Sequence, residues 1–426
     1  MTKRQGAVWY GDRRVGVLRE GEQRTLLFAY DPAWLNQDGF PISIRLPLSN
    51  GDEEVDAHAY FEGLLPEGKV RQRICRKHGI PPEDDTGLLL AIGEDCAGAL
   101  SVLPLDATPP GAGEAPEALT TDQINRLVKS SGQDTSALTG KHQRFSLAGV
   151  QEKQAVIFNG ESYALPDRTY PSSHSLKFET VRRVCFAEYL ANEIARRIDL
   201  AVVNTEFLNS ESQEGSIPYL RIERYDRRKD AGGNLVRLHQ EDILQAIGHA
   251  SIFKYQHDGG PSIGELADLL RKYTARPIES LSCLRDWQIF NYLIGNWDGH
   301  AKNLALLYIP GESVPTLAPI YDVVAIEFFN LLNPGTWARE MALNVGEHNE
   351  PERIGRRDWE AFAKDIGMPP KPVLARLEEL AVILPEVSDA ALQAFRQGYL
   401  NEKIHGQLLE MVRRRCHWTL NSVIGK

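Results

Sequence analysis

An α+β fold of two lobes is predicted: a β-rich N-terminal lobe with a small module of its own, and a C-terminal lobe dominated by helices. Three observations predict it. Residues 1–50 consist largely of short aliphatic and aromatic runs broken by Gly-Asp and Gly-Glu turns. A Pro-, Gly- and Ala-rich stretch, PLDATPPGAGEAPEAL at 104–119, reads as a linker. From about Glu265 onward helical spacing prevails, interrupted by the strand-like LALLYIP and PTLAPIYDVVAI.

Taken in order, AVWY, RRVGVLRE and RTLLFAYD read as strands. HAYFEGLLPEGKVRQRICRKHG reads as helix, broken by Pro66 and stopped at Gly79. AGALSVLP returns to strand and closes a module over 1–103. After the linker, Thr120 or Thr121 caps a short helix in TTDQINRLVKSS. EKQAVIF and ESYALP form a hairpin on Asn159-Gly160, whose positive φ suits the turn. HSLKFE and IPYLRIERYD are further strands. Between them VRRVCFAEYLANEIARRIDL sets Val184, Ala187, Leu190, Ile194 and Ile198 along one helical face. A second β lobe therefore spans 120–225 and a helical lobe spans 226–426, and ligands favour clefts between such lobes.

The 426 residues are 42% hydrophobic and 25% charged, an ordinary globular balance. No apolar run reaches membrane-spanning length, and MTKRQGAVWYGDRR has no secretory h-region, so membrane insertion and export are not expected. Five scattered cysteines without a C-x-x-C pair suit reduced thiols in a cytoplasm. A net charge of −10 argues against a free-standing nucleic-acid binder. The basic run VRRRCH at 412–417 reads as the solvated face of a terminal helix.

The chemistry concentrates in NWDGHAKNLALL, residues 296–307. A buried-helix pattern, CLRDWQIFNYLIGN, precedes Asp298, and a core-strand pattern follows Asn303. The intervening loop thus hangs between rigid elements. Its D-x-x-x-x-N spacing is that of a protein-kinase catalytic loop, whose Asp accepts the attacking hydroxyl's proton and whose Asn holds magnesium. Asp322, in APIYDVVAI, follows Asn303 by nineteen residues and one strand hairpin, where kinases place a second metal-binding carboxylate. Either aspartate alone would read as a turn residue; the ordered Asp, Asn, Asp set is what points to phosphoryl transfer. His300 reads as a hydrogen-bonder that holds the loop. Lys302 reaches either the transferred phosphoryl group or solvent.

Upstream, RFSLAGVQEKQAVIF carries a flexible Ala148-Gly149 point ahead of a strand, where backbone amides can cradle phosphates. It is neither a Walker A loop nor G-x-G-x-x-G. Ser146 is a turn residue or a hydroxyl open to phosphorylation. Lys177, on a β-lobe strand, reaches nucleotide phosphates or faces solvent.

Together these segments resemble the HipA family, kinase toxins of bacterial type II toxin–antitoxin pairs. The resemblance is carried by FSLAGVQEK (145–153), RIERYDRR (221–228), LHQEDILQAIG (238–248), KYQHDGGPS (254–262), GNWDGHAKN (295–303) and Tyr321-Asp322. LLPEG (64–68) and GEDCAGAL (93–100) extend it into the N-terminal module. It implies a protein-kinase-like fold and a serine/threonine kinase using ATP and Mg2+. In that scheme Asp298 is the catalytic base, and Asn303 and Asp322 hold the metal. Nucleotide contacts fall on a phosphate loop (Ala148, Gly149, Val150, Gln151, Glu152, Lys153), on Lys177, His300 and Lys302, and on an adenine-side segment of Glu223, Arg224 and Tyr225. Ser146 matches an autophosphorylated serine whose modification ejects the phosphate loop and silences the enzyme. The resemblance further implies an aminoacyl-tRNA synthetase as substrate, chiefly glutamyl-tRNA synthetase, leading to translational arrest and persistence. It also implies a HipB-type helix-turn-helix antitoxin as partner, with operator DNA reached only through that complex. Two other readings stand beside it: an antibiotic-type small-molecule phosphotransferase, and a catalytically silent corepressor.

Overall fold

Period-2 patterning is realised in two antiparallel five-stranded sheets. The first contains β1 (Gln5–Tyr10), β2 (Arg13–Glu20), β3 (Leu26–Tyr30), β4 (Val55–Asp56) and β5 (Leu100–Pro104), in the order β4-β3-β2-β1-β5. The second contains β6 (Lys153–Phe158), β7 (Tyr163–Ala164), β8 (His174–Phe178), β9 (Thr205–Asn209) and β10 (Pro218–Glu223), in the order β7-β6-β8-β10-β9. The computed structural model describes residues 4–107, 116–133, 153–167, 169–210, 215–398 and 403–425. The chain divides into two units: Met1–Thr180 with Glu206–Ser251 and Leu306–Glu312, and Val181–Thr205 with Ile252–Ala305 and Ser313–Lys426. This division interleaves along the sequence. The helix expected in the second β lobe, at 184–197, belongs to the second unit, whereas 226–251 belongs to the first.

In the first unit, one face of the first sheet buries Val8, Val15, Leu18 and Phe28 against Trp34, Phe61, Leu88 and Leu89. The last two come from α2 (Asp85–Ile92), which follows α1 (Gly68–His78). The break at Pro66 separates α1 from a short helical segment at His58–Glu62, and Gly79 caps α1 with φ +65°. The second sheet packs Val156, Leu176, Phe178 and Tyr219 against Ile124, Leu127 and Val128 of α3 (Thr121–Lys129). Thr120 is the N-cap of α3, in a reciprocal box with Gln123. Asn159 accepts from the amides of Glu161 (3.0 Å) and Ser162 (2.8 Å), which closes the β6–β7 turn. β11 (Arg227–Lys229) pairs with β12 (Leu235–Arg237), and β13 (His239–Asp242) lies beside β14 (Ala305–Tyr308).

The second unit is helical: α4 (Val184–Arg197), α5 (Ile263–Tyr273), α6 (Pro277–Ile294), α7 (Ile326–Leu332), α8 (Arg356–Asp365), α9 (Pro370–Gly398) and α10 (His405–Trp418). The long α9 packs against α4, α6, α8 and α10. The basic run lies on α10, and it is not uniformly solvated. Arg415 pairs with Glu352 at 3.1 Å and sits 5.4 Å from the ring centroids of both Tyr292 and Trp297. No helix among the described residues is long and apolar enough to cross a membrane. Four of the five thiols are buried, and Cys283 is partly so.

Candidate active site

The predicted catalytic loop begins where α6 ends. Gly295 takes φ +74°, and a Cβ there would lie 2.7 Å from the Glu327 Cβ. The following residues are pegged one by one. Asn296 donates from Nδ2 to the Asn291 Oδ1 at 2.9 Å, and its own Oδ1 accepts the Asp298 amide at 3.3 Å. The buried Trp297 indole donates to Glu327 Oε2 at 3.1 Å. A Cβ on Gly299 would stand 2.4 Å from Asn291 Nδ2, so a side chain there would displace the Asn291 amide. Asp298 itself is about half exposed, its side chain at 51%. A rigid, buried backbone thus presents a solvent-accessible carboxylate.

Asn303 closes the loop onto His300. Its Oδ1 accepts the His300 amide at 2.9 Å, and its own amide donates to the His300 carbonyl at 2.9 Å. His300, Lys302 and Asn303 are all buried. The solvent-facing alternative for Lys302 therefore does not hold. Asp322 follows a stretch bound to the chain before β9: Ile320 donates to Ala201 at 2.7 Å and accepts from Val203 at 2.9 Å. Its φ of +63° is uncommon for a non-glycine residue. Tyr321 donates to the Lys302 carbonyl at 2.6 Å, which brings the Asp322 segment onto the Asn303 turn. One carboxylate and one carboxamide oxygen are hard donors. They fit Mg2+, which takes one or two protein carboxylates and completes its shell with water and phosphate oxygens. Among the described residues no cluster of three or more His, Cys, Asp or Glu side chains forms a closed metal cage.

The other candidates lie in the first unit. Lys153 and Lys177 are register partners across β6 and β8, so both side chains leave the same face of the sheet. Lys177 is 1% exposed, which removes the reading of a solvent-facing strand lysine. Glu223 ends β10 and is exposed. The Tyr225 hydroxyl donates to the Gln240 side chain. Ser146, Ala148, Gly149, Val150, Gln151 and Glu152 lie outside the described residues.

The side chain of Arg224 is engaged within the first unit. Its guanidinium is buried and bidentate to Asp226, at 2.9 and 2.7 Å, and donates to Ser172 Oγ at 2.9 Å. Asp95, in the GEDCAGAL stretch, accepts from Arg227 at 3.2 Å and lies 3.3 Å from Arg237. Gly98 donates its amide to Asp226 at 2.8 Å. Burial alone would raise the Asp226 carboxyl, but Arg224 and Arg227 outweigh it and hold the group well below the usual range. RIERYDRR therefore supplies a buried electrostatic joint to the N-terminal module, and the side chain of Arg224 is committed to that joint.

Sequence reasoning passed over Asn296, Trp297 and Glu327 as site residues, and Tyr255, whose hydroxyl donates to Asp298 Oδ1 at 2.6 Å. Asn296 and Trp297 sit inside the same motif, within two positions of Asp298. Glu327 carried no signal, because its partner is thirty positions away in sequence.

Residues 145–388 match the HipA-like C-terminal domain, and residues 6–103 match the HipA N-terminal domain. A relative named Y4mE, from Sinorhizobium fredii, is 32% identical and covers 96% of this chain and 98% of its own. The serine/threonine-protein kinase toxin HipA of Shewanella oneidensis is 26% identical over 88% of this chain and 86% of its own. The solved structure of a Shewanella oneidensis HipA, in complex with HipB and operator DNA, has the same fold. It superposes at a TM-score of 0.84 over 98% of each chain, with 24% identity. The two-unit α+β fold and its relatives define a serine/threonine protein kinase. Within that class the chain belongs to the HipA family.

Proposed function

We propose that this kinase is the toxin of a type II toxin–antitoxin pair and transfers the γ-phosphate of ATP to a serine or threonine of an aminoacyl-tRNA synthetase, glutamyl-tRNA synthetase first among them. The observation that carries the phosphotransfer reading is the Asp298–Asn303 loop, tied through Lys302 and Tyr321 to Asp322. Asp298 orients the acceptor hydroxyl and takes its proton as the oxygen–phosphorus bond forms and the bond to the ADP oxygen breaks. Asn303 and Asp322 hold Mg2+, which offsets phosphate charge when bound. Lys177 and Lys153 bring positive charge from one sheet face to the nucleotide phosphates, with the loop Ala148–Glu152 cradling them. Glu223 and Tyr225 meet the adenine. Autophosphorylation of Ser146 withdraws that loop and silences the enzyme. The HipB-bound Shewanella structure and the family membership support a HipB-type antitoxin as partner, with DNA reached through it, in the cytoplasm.

Phosphoproteomics after induced expression tests this, wild type against Asp298→Gln. The expected result is one dominant modified synthetase and growth arrest in the wild type, with neither in the variant. Equal phosphorylation by the two proteins would remove Asp298 from its role, and a modified small molecule instead of a protein would replace the substrate class.

A further inference from the structure

We propose that Tyr255 is a positioning residue for phosphoryl transfer, aiming the Asp298 carboxylate at the acceptor hydroxyl; this rests on reading Asp298 as the base. The Tyr255 hydroxyl donates to Asp298 Oδ1 at 2.6 Å, across 43 positions of sequence. A short phenol–carboxylate bond of this kind is charge-assisted and directional. Without it, an aspartate side chain that is half exposed would rotate freely about its terminal torsion. With Oδ1 engaged, the plane of the carboxylate is set and Oδ2 is left to take the proton.

The arrangement is built rather than accidental, because one residue, Ala342, holds both partners. The Ala342 amide donates to the carbonyl of Trp297, the residue before Asp298, at 3.0 Å. The Ala342 carbonyl accepts from the amide of Gln256, the residue after Tyr255, at 2.9 Å. Gln256 Oε1 in turn accepts the Asn344 amide at 2.9 Å. Gly260 donates to the Tyr255 carbonyl at 2.9 Å, and a Cβ on Gly260 would stand 2.6 Å from that oxygen. The phenol ring stands edge-on to His300, centroids 5.5 Å apart at 76°, and is stacked on His257 at 5.5 Å and 20°. His300 Nε2 lies 3.9 Å from the same Asp298 oxygen. Ring, backbone and loop thus converge on a single acceptor atom. Where catalysis consists mainly of placing groups, such convergence acts on rate and not on nucleotide affinity.

Tyr255→Phe keeps the ring packing and removes only the hydroxyl. Steady-state transfer of labelled γ-phosphate from Mg·ATP to casein, and to the chain itself, reads the effect, alongside the thermal midpoint. The expected result is a kcat lower by about tenfold, with the KM for ATP and the midpoint unchanged. A Tyr255→Phe kcat equal to or above the wild type, with Asp298→Gln inactive, overturns this inference alone and shows the phenol merely standing where the substrate hydroxyl goes. A changed KM for ATP with unchanged kcat overturns it as well. Full activity of Asp298→Gln would instead defeat the underlying assignment and take this inference with it.

Discussion

Tyr321 binds the carbonyl oxygen of Lys302 at 2.6 Å, so the residue preceding Asp322 is joined to the residue preceding Asn303. The two proposed metal donors are carried by adjoining residues of a single hydrogen bond. That bond is one of the contacts that set their spacing. Tyr321→Phe should therefore raise the Mg2+ concentration at half-maximal kinase rate by about three- to tenfold, the effect of one lost hydrogen bond of ordinary strength. The thermal midpoint should move little. A Mg2+ titration matching the wild type would show that the donors are held apart from this bond.

Asp322→Asn and Asn303→Ala each remove a donor from a hard cation bound by few protein oxygens. Both should weaken ATP binding by calorimetry in Mg2+ by tenfold or more, and change it little in EDTA. Asn303→Ala also breaks the bond to the His300 amide. It should therefore lower the thermal midpoint, whereas Asp322→Asn should not. Equal losses with and without Mg2+ would sink the metal assignment for both residues.

Much of this site was legible in the sequence because its groups lie close together along the chain. Asp298, Asn303 and their flanking helix and strand are contiguous, and period-2 runs marked both sheets. What could not be read are relationships across long separations. The bond from Tyr255 to Asp298 and the Ala342 bridge involve segments without a shared local pattern. The side-chain partners of Arg224 were hidden for the same reason. Its motif sits where an adenine contact is expected, but its partners are set by the fold, including Ser172 more than fifty positions upstream. Lys177 shows the reverse case: the strand was evident, but alternation could not say which face is buried.

The joint around Arg224 makes a stability prediction. Asp226→Ala removes both guanidinium bonds of Arg224 and an acceptor for the Gly98 amide, leaving buried cations and an amide without that carboxylate. Breaking a buried pair in this way costs about 3–5 kcal/mol. Chemical denaturation should show a loss of that order, with the N-terminal module released first in limited proteolysis. A loss below about 1 kcal/mol would mean that water or Asp95 replaces the missing charge.

Glu241 supplies the pH dependence. It is fully buried on β13, where its Oε1 accepts the Ile44 amide at 3.0 Å and the Tyr308 hydroxyl at 2.5 Å. Burial pushes its carboxyl from the ordinary value of 4.5 up to about 7, against the hydrogen bonds from Ser43, Tyr308 and Ile44 that favour the charged form. Because the folded value lies above the unfolded one, the folded chain retains a proton that the unfolded chain loses between these two limits. The associated stability is fully present below about pH 4.5 and disappears as pH rises through about 7, on the order of 3 kcal/mol in all. Glu241→Gln keeps an acceptor oxygen for Ile44 and Tyr308 but cannot ionise. Between pH 5 and pH 8 the variant should show a shallower fall in thermal midpoint than the wild type, and at pH 8 it should unfold at the higher temperature. Parallel midpoint curves across that range would show that Glu241 carries its charge in the folded protein at little cost.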